Sequence, residues 1–89
     1  MEKEIIATPN APAAIGPYSQ GTAGSGLVFV SGQLPVNPKT GEIPEGIEAQ
    51  SRQSLENVKA VLEAAGSSTA QVVKTTCFLA DIADFAAFN

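Results

Sequence analysis

Polar and apolar positions along the chain follow two rhythms, one of period two and one helical. Glu4 to Thr8 is a short apolar run that predicts a strand. Pro9, Pro12 and Pro17 exclude helix interior from the stretch that follows. Tyr18 to Ala23 reads as a second extended piece, and Gly24-Ser25-Gly26 as a turn. Leu27 to Leu34 is β-rich. Alternation puts Val28, Val30, Gly32 and Leu34 on one face and Leu27, Phe29, Ser31 and Gln33 on the other. Both faces begin apolar, so this strand is expected to be central and covered on both sides. Pro35 ends it, and Asn37-Pro38-Lys39-Thr40-Gly41 predicts a turn in which Gly41 takes positive φ.

The helical rhythm runs from about Ile47 to Ala65. Leu55, Val58, Leu62 and Ala65 fall on one stripe, while Arg52, Glu56, Lys59 and Glu63 lie opposite at pairing distance along a helix. Gly66 stands where a glycine cap is expected. Gln71 to Ala80 returns to strand pattern, with Val73, Thr75, Cys77 and Leu79 opposite Val72, Lys74, Thr76, Phe78 and Ala80. Asp84 is the expected N-cap of a second helix that opens with Phe85 and Phe88, and Asn89 stands one turn into it. The order predicts an α+β domain: a strand–helix–strand unit, with a right-handed crossover laying the helix on one sheet face. One sheet face is then bare, and a domain ending mid-helix reads as C-terminally incomplete.

Length, composition and charge narrow the function. Residues 1–89 hold one small domain at most, and 44% hydrophobic with 16% charged residues predicts a fold rather than disorder. Net charge is −4, and the five basic residues are scattered, which argues against a phosphate-gripping stripe and a nucleic-acid partner. No apolar run reaches membrane-spanning length. The charged start, Met1-Glu2-Lys3-Glu4, lacks the order of a signal peptide, and the expected location is cytoplasmic. With no histidine, Ser-His-Asp and Cys-His catalysis are excluded, and no metal site is expected. Any catalysis falls to carboxylates, hydroxyls, Tyr18, lysine, Arg52, Cys77 or backbone groups.

Taken alone, each candidate has a plain structural account. Tyr18 reads as a half-buried anchor whose hydroxyl finds a backbone partner. Gly32 marks a bulge or a close ligand approach, and its polar neighbours Ser31 and Gln33 favour the ligand. Cys77, mid-strand, reads as a buried inert thiol. Glu56 and Glu63 read as solvated helix carboxylates, and Asp81 and Asp84 as turn and cap residues.

Several stretches taken in order change that balance: Asn10 to Gln20, Val30-Ser31-Gly32-Gln33-Leu34-Pro35, Asn37 to Glu42, Gln50 to Gly66, and Val73 to Thr76 with Asp84-Phe85. Together they resemble the RidA (YjgF/YER057c/UK114) family. The resemblance implies a chorismate-mutase-like mixed sheet with helices packed on one face, here lacking the last strands and most of the second helix. It implies homotrimers with clefts between subunits, and hydrolysis of 2-iminobutanoate and 2-iminopropanoate to 2-oxo acids and ammonia without a cofactor. By position it assigns Tyr18, Ser31, Gly32, Gln33 and Asn89 to the substrate cleft. The family's carboxylate-gripping arginine and water-orienting glutamate are expected beyond Asn89, so residues 1–89 alone are expected to be inactive. Two other functions are carried beside it. One is an endoribonuclease or translation inhibitor, which the charge disfavours. The other is a non-enzymatic ligand binder or holdase, which an uncovered sheet face would suit.

Overall fold

A computed structural model describes residues 3–89. Three antiparallel strands form one sheet: β1 (Glu4–Ile6), β2 (Gly21–Gly24) and β3 (Leu27–Val30), in the order β1-β2-β3. Ser25 and Gly26 connect β2 to β3 with φ of 53° and 77°. Two consecutive positive φ angles are those of a type I′ turn, whose twist matches the strands it joins. The register pairs Gly21 with Val30 and Gly24 with Leu27 across this hairpin, and Ile6 with Gly21 across the first pair.

Helix α1 spans Ile47–Ala64 and ends as a complete Schellman motif. The Gly66 N–H donates to Glu63 O at 3.0 Å, and the Ser67 N–H to Leu62 O at 2.9 Å. Gly66 takes φ 81°, the left-handed conformation that a Cβ would oppose. The expected turn at residues 37–41 forms as well. Asn37 Oδ1 accepts from the Lys39 N–H at 2.8 Å, the Gly41 N–H donates to Asn37 O at 2.8 Å, and Gly41 takes φ 77°.

The core is small and lies between α1 and the inner sheet face. Ile6, Ala11 and Val61 are its buried members, with Ala23, Val30, Ala60 and Ala65 packed against them. Gly21 is what lets the helix come close. A Cβ placed there would meet Val61 Cγ1 at 2.8 Å and Phe29 O at 3.1 Å. The buried side of α1 is Asn57, Val61 and Leu62. The expected stripe is therefore turned by one residue: Leu55 is 54% exposed, and Asn57 takes a core position. The cause is the sheet surface, where the bare backbone of Gly21 receives Val61.

Several expectations are corrected. β3 ends at Val30, not Leu34, and pairs with β2 alone, so it is an edge rather than a central strand. Its outer face is uncovered, with Leu27 52% and Phe29 59% exposed. Gln71 to Ala80 belongs to no strand; after a short 3-10 turn at Thr69–Gln71 it runs unpaired, with Phe78 and Cys77 exposed. Alternation supplies a side-chain pattern but not a hydrogen-bonding neighbour, and a strand requires both. The strand–helix–strand unit therefore does not close, and the described sheet is purely antiparallel rather than mixed. Asp84 does not cap with its side chain. Asp81 does, accepting from the Ala83 N–H at 2.9 Å at the head of a 3-10 turn (Ile82–Asp84) that leads into helix α2 (Phe85–Phe88). Helix α2 packs against α1.

Candidate functional site

Two loops flank the β2–β3 hairpin, and each is organised by a buried amide side chain. In the first, Gln20 is 5% exposed. Its Oε1 accepts from the Thr8 N–H at 2.6 Å. Its Nε2 faces Thr8 O, Ala11 O and Pro12 O at 3.0, 3.2 and 2.7 Å. Two N–H groups shared among three carbonyls wrap residues 8–12 around one amide, which satisfies backbone groups that no strand serves. That wrapping fixes the loop that leads to Tyr18.

Tyr18 is half-exposed, at 49%. Its N–H donates to Gly16 O at 2.8 Å, and its hydroxyl accepts from the Ile15 N–H at 3.4 Å. That last bond is long for N–H···O and leaves the phenol proton free to serve a ligand. Tyr18 is thus an anchor to its own loop and an accessible donor at once.

The second loop begins at Ser31. Its N–H donates to Gln20 O at 3.0 Å and its hydroxyl to Ser19 O at 2.5 Å, so residues 19–20 and 31 are joined directly. The Ser31 hydroxyl proton is committed to that carbonyl, which leaves the oxygen as an acceptor. Gln33 Nε2 donates back to Ser31 O at 3.2 Å. Gly32 is exposed, and a Cβ built on it would meet nothing within 4 Å. It lies past the end of β3 and is no bulge; the space beside its backbone is open to a ligand.

Asn57 holds the far end of this loop. It is 1% exposed, and its Nδ2 donates to Leu34 O and Val36 O, both at 2.9 Å. Its Oδ1 accepts from Gln53 Nε2 at 2.9 Å. Sequence patterning did not single out Gln20 or Asn57. The available signal was a polar side chain four residues before an apolar core position, Val61, on one helix face.

The structure thus bonds Ser31, which Gly32 and Gln33 follow, to Ser19 and Gln20, the residues after Tyr18. Asn89 is the exposed C-cap of α2, its N–H donating to Phe85 O at 2.8 Å. None of Tyr18, Ser31, Gly32, Gln33 and Asn89 lines either of two surface cavities, one between Thr8, Asn10 and the Gln53–Ala64 side of α1, the other beside Ala7, Pro9 and Ala13. Among the described residues no group of three or more Cys, Asp or Glu side chains is placed to hold a metal, and no helix is long and apolar enough to cross a membrane.

A small antiparallel sheet under one long helix is the frame of an α+β domain. The chain belongs to the Endoribonuclease L-PSP family, whose model matches residues 8–89. It is 60% identical over 86 residues to the 2-iminobutanoate/2-iminopropanoate deaminase of Escherichia coli (strain K12), covering 97% of this chain and 67% of that protein. It is also 60% identical over 89 residues to a RutC family protein of Haemophilus influenzae, covering 68% of it. Among solved structures, the E. coli YjgF gene product superposes with TM-score 0.93 at 58% identity, over 96% of this chain and 67% of that one. E. coli TdcF with bound serine superposes with TM-score 0.93 at 53% identity, over the same shares. The fold is that of the RidA/YjgF proteins, and the chain spans about two thirds of the length of these relatives.

Proposed function

We infer that the protein is a deaminase of small reactive 2-imino acids, 2-iminobutanoate and 2-iminopropanoate. Water adds to the imine carbon, the C–N bond of the resulting carbinolamine breaks, and the products are a 2-oxo acid and ammonia. The observation that carries this is 60% identity along 97% of the chain to a protein of that name, with residues 19–20 and 31 joined directly. A 2-imino acid offers a carboxylate and a polar nitrogen, and fixed donors beside open space suit both. Tyr18, Ser31, Gly32, Gln33 and Asn89 are assigned to the substrate. The Ser31 oxygen serves as an acceptor, and the backbone at Gly32 and Gln33 as donors. The arginine that completes the grip on the carboxylate and the glutamate that orients water are assigned to sequence beyond Asn89.

The cleft is assigned to the junction between subunits of a homotrimer. The uncovered sheet face supports this: Ile5 is 62%, Leu27 52% and Phe29 59% exposed on strands that present them on one side. The whole of residues 1–89 is assigned to one domain, and the protein to the cytoplasm, which the single cysteine, Cys77, suits. RNA cleavage, which the family's name carries, is disfavoured by a net charge of −4 and the lack of any histidine.

Ammonia release from freshly generated 2-iminobutanoate tests the assignment, run on protein of known intact mass. Residues 1–89 alone are expected to leave the spontaneous rate unchanged, and the protein at the relatives' length to accelerate it. No acceleration by the longer protein would overturn the deaminase. Acceleration by residues 1–89 would overturn the placement of catalytic groups beyond Asn89.

A further inference from the structure

The segment Gly32-Gln33 is bracketed by two pins. At residue 31 the pin is Ser31, bonded to Gln20 O and Ser19 O. At residues 34–36 it is Asn57, whose Nδ2 donates to Leu34 O and Val36 O at 2.9 Å each. Both Asn57 N–H groups are used, and its Oδ1 is oriented by Gln53 Nε2 at 2.9 Å. At 1% exposure the asparagine has no water to fall back on, so its two carbonyl partners have little freedom to move. Between the pins, neither the Gly32 nor the Gln33 N–H has a protein acceptor among the described residues. These two donors sit on a backbone that the helix holds in place, and Gly32 is exposed.

We propose that Asn57 is a positioning residue for the ligand. Through the carbonyls of Leu34 and Val36 it holds the Gly32 and Gln33 N–H groups in the geometry that binds the carboxylate of a small 2-oxo or 2-imino acid. The proposal rests on reading residues 31–33 as ligand-contacting, and it gives helix α1, which otherwise supplies only packing, a part in binding. Asparagine is suited to the place because its amide donates two bonds in a fixed fork while accepting one. Leucine has similar volume and donates nothing. A carboxylate would oppose both carbonyl oxygens.

The test uses the full-length protein and 2-oxobutanoate as probe, with binding followed through the amide resonances of Gly32 and Gln33. Asn57→Leu is expected to shift those two resonances in the free protein and to weaken 2-oxobutanoate binding about tenfold, as loss of ligand preorganisation does. Gln53→Met leaves Asn57 in place but frees its amide to rotate; because Gln53 is half-exposed the fold is kept, and a loss of about threefold is expected. Val61→Ala, which loosens the same helix without touching the loop, is the control and is expected to leave the affinity within about twofold. If Val61→Ala weakens binding as much as Asn57→Leu, or if Gln53→Met leaves both the resonances and the affinity unchanged, the positioning role is overturned. Failure of the deaminase assignment looks different: wild-type protein would bind 2-oxobutanoate through Gly32 and Gln33 and yet release no ammonia from 2-iminobutanoate.

Discussion

Replacing Gly21 and Val61 separately and together measures how helix α1 seats on the sheet. A methyl at residue 21 would lie 2.8 Å from Val61 Cγ1 and 3.1 Å from Phe29 O. Carbon atoms prefer about 3.5–4.0 Å, so one of the two must yield. Overpacking of this kind costs about 1–3 kcal/mol. The unfolded chain loses freedom when glycine becomes alanine, which returns about 0.4–1 kcal/mol. Gly21→Ala is therefore expected to destabilise by about 1–2 kcal/mol. Val61 is fully buried, and Val61→Ala removes two methyl groups and leaves a void, a loss of about 2–3 kcal/mol. In the double variant the new methyl enters the space that Cγ1 vacated. The clash with Val61 disappears and part of the void is filled, while the contact with Phe29 O remains. The double variant should then lose about 1–2 kcal/mol less than the sum of the single losses. Urea titrations of all four proteins, compared at equal m-value, give the numbers. Additivity within about 0.5 kcal/mol would mean that the helix shifts freely over Gly21, and the close approach would then have no energetic role.

Three other outcomes follow from single contacts. Gln20→Leu strands the Thr8 N–H and the Ala11 and Pro12 carbonyls; a loss of about 2–4 kcal/mol is expected, read as a lowered urea midpoint with new protease cleavage within residues 8–17. Gly66→Ala places a Cβ at φ 81° and should cost about 1 kcal/mol in a thermal melt, whereas Gly32→Ala, with open space around it, should leave the melt unchanged and weaken ligand binding. Phe29→Asp puts a charge on the uncovered sheet face; sedimentation of the full-length protein should show the proposed trimer replaced by monomers, and an unchanged assembly would remove that face from the interface.

What could be read from the sequence was what depends on neighbours close along the chain. The hairpin at Ser25-Gly26, the Asn37 turn, helix α1 and its Gly66 cap all arise from local chemistry, and all formed close to where the pattern put them. The misses share a different cause. Gln71 to Ala80 has an alternating pattern, but whether it becomes a strand depends on a partner far away in sequence, and no described strand pairs with it. The outer side of β3 was expected to be covered for a similar reason: Leu27 and Phe29 ask for a cover without naming it. The turn of the α1 stripe from Leu55 toward Asn57 depended on Gly21, a residue whose missing side chain leaves no mark in a hydrophobic pattern. A glycine within a strand pattern was nonetheless a usable sign of close backbone approach.

The same division runs through the candidate site. The residues assigned to the ligand came from family resemblance, and one of them, Ser31, bonds to Ser19 and Gln20, the chain neighbours of Tyr18. The two residues that make that junction stiff were passed over, because a buried amide looks in sequence like any surface polar residue. Yet the apolar core has few buried members, Ile6, Ala11, Val61 and Leu62, and none of them touches residues 31–36 through a hydrogen bond. Apolar packing is non-directional and sets how close the helix lies; it does not set where a particular N–H points. Hydrogen bonds do, and when buried they are costly to break. In a domain with so small a core, the geometry of the binding loops therefore depends on Gln20 and Asn57 more than on the apolar residues between them. Substitution at Asn57 should alter ligand affinity out of proportion to its effect on stability, whereas substitution at Val61 should do the reverse.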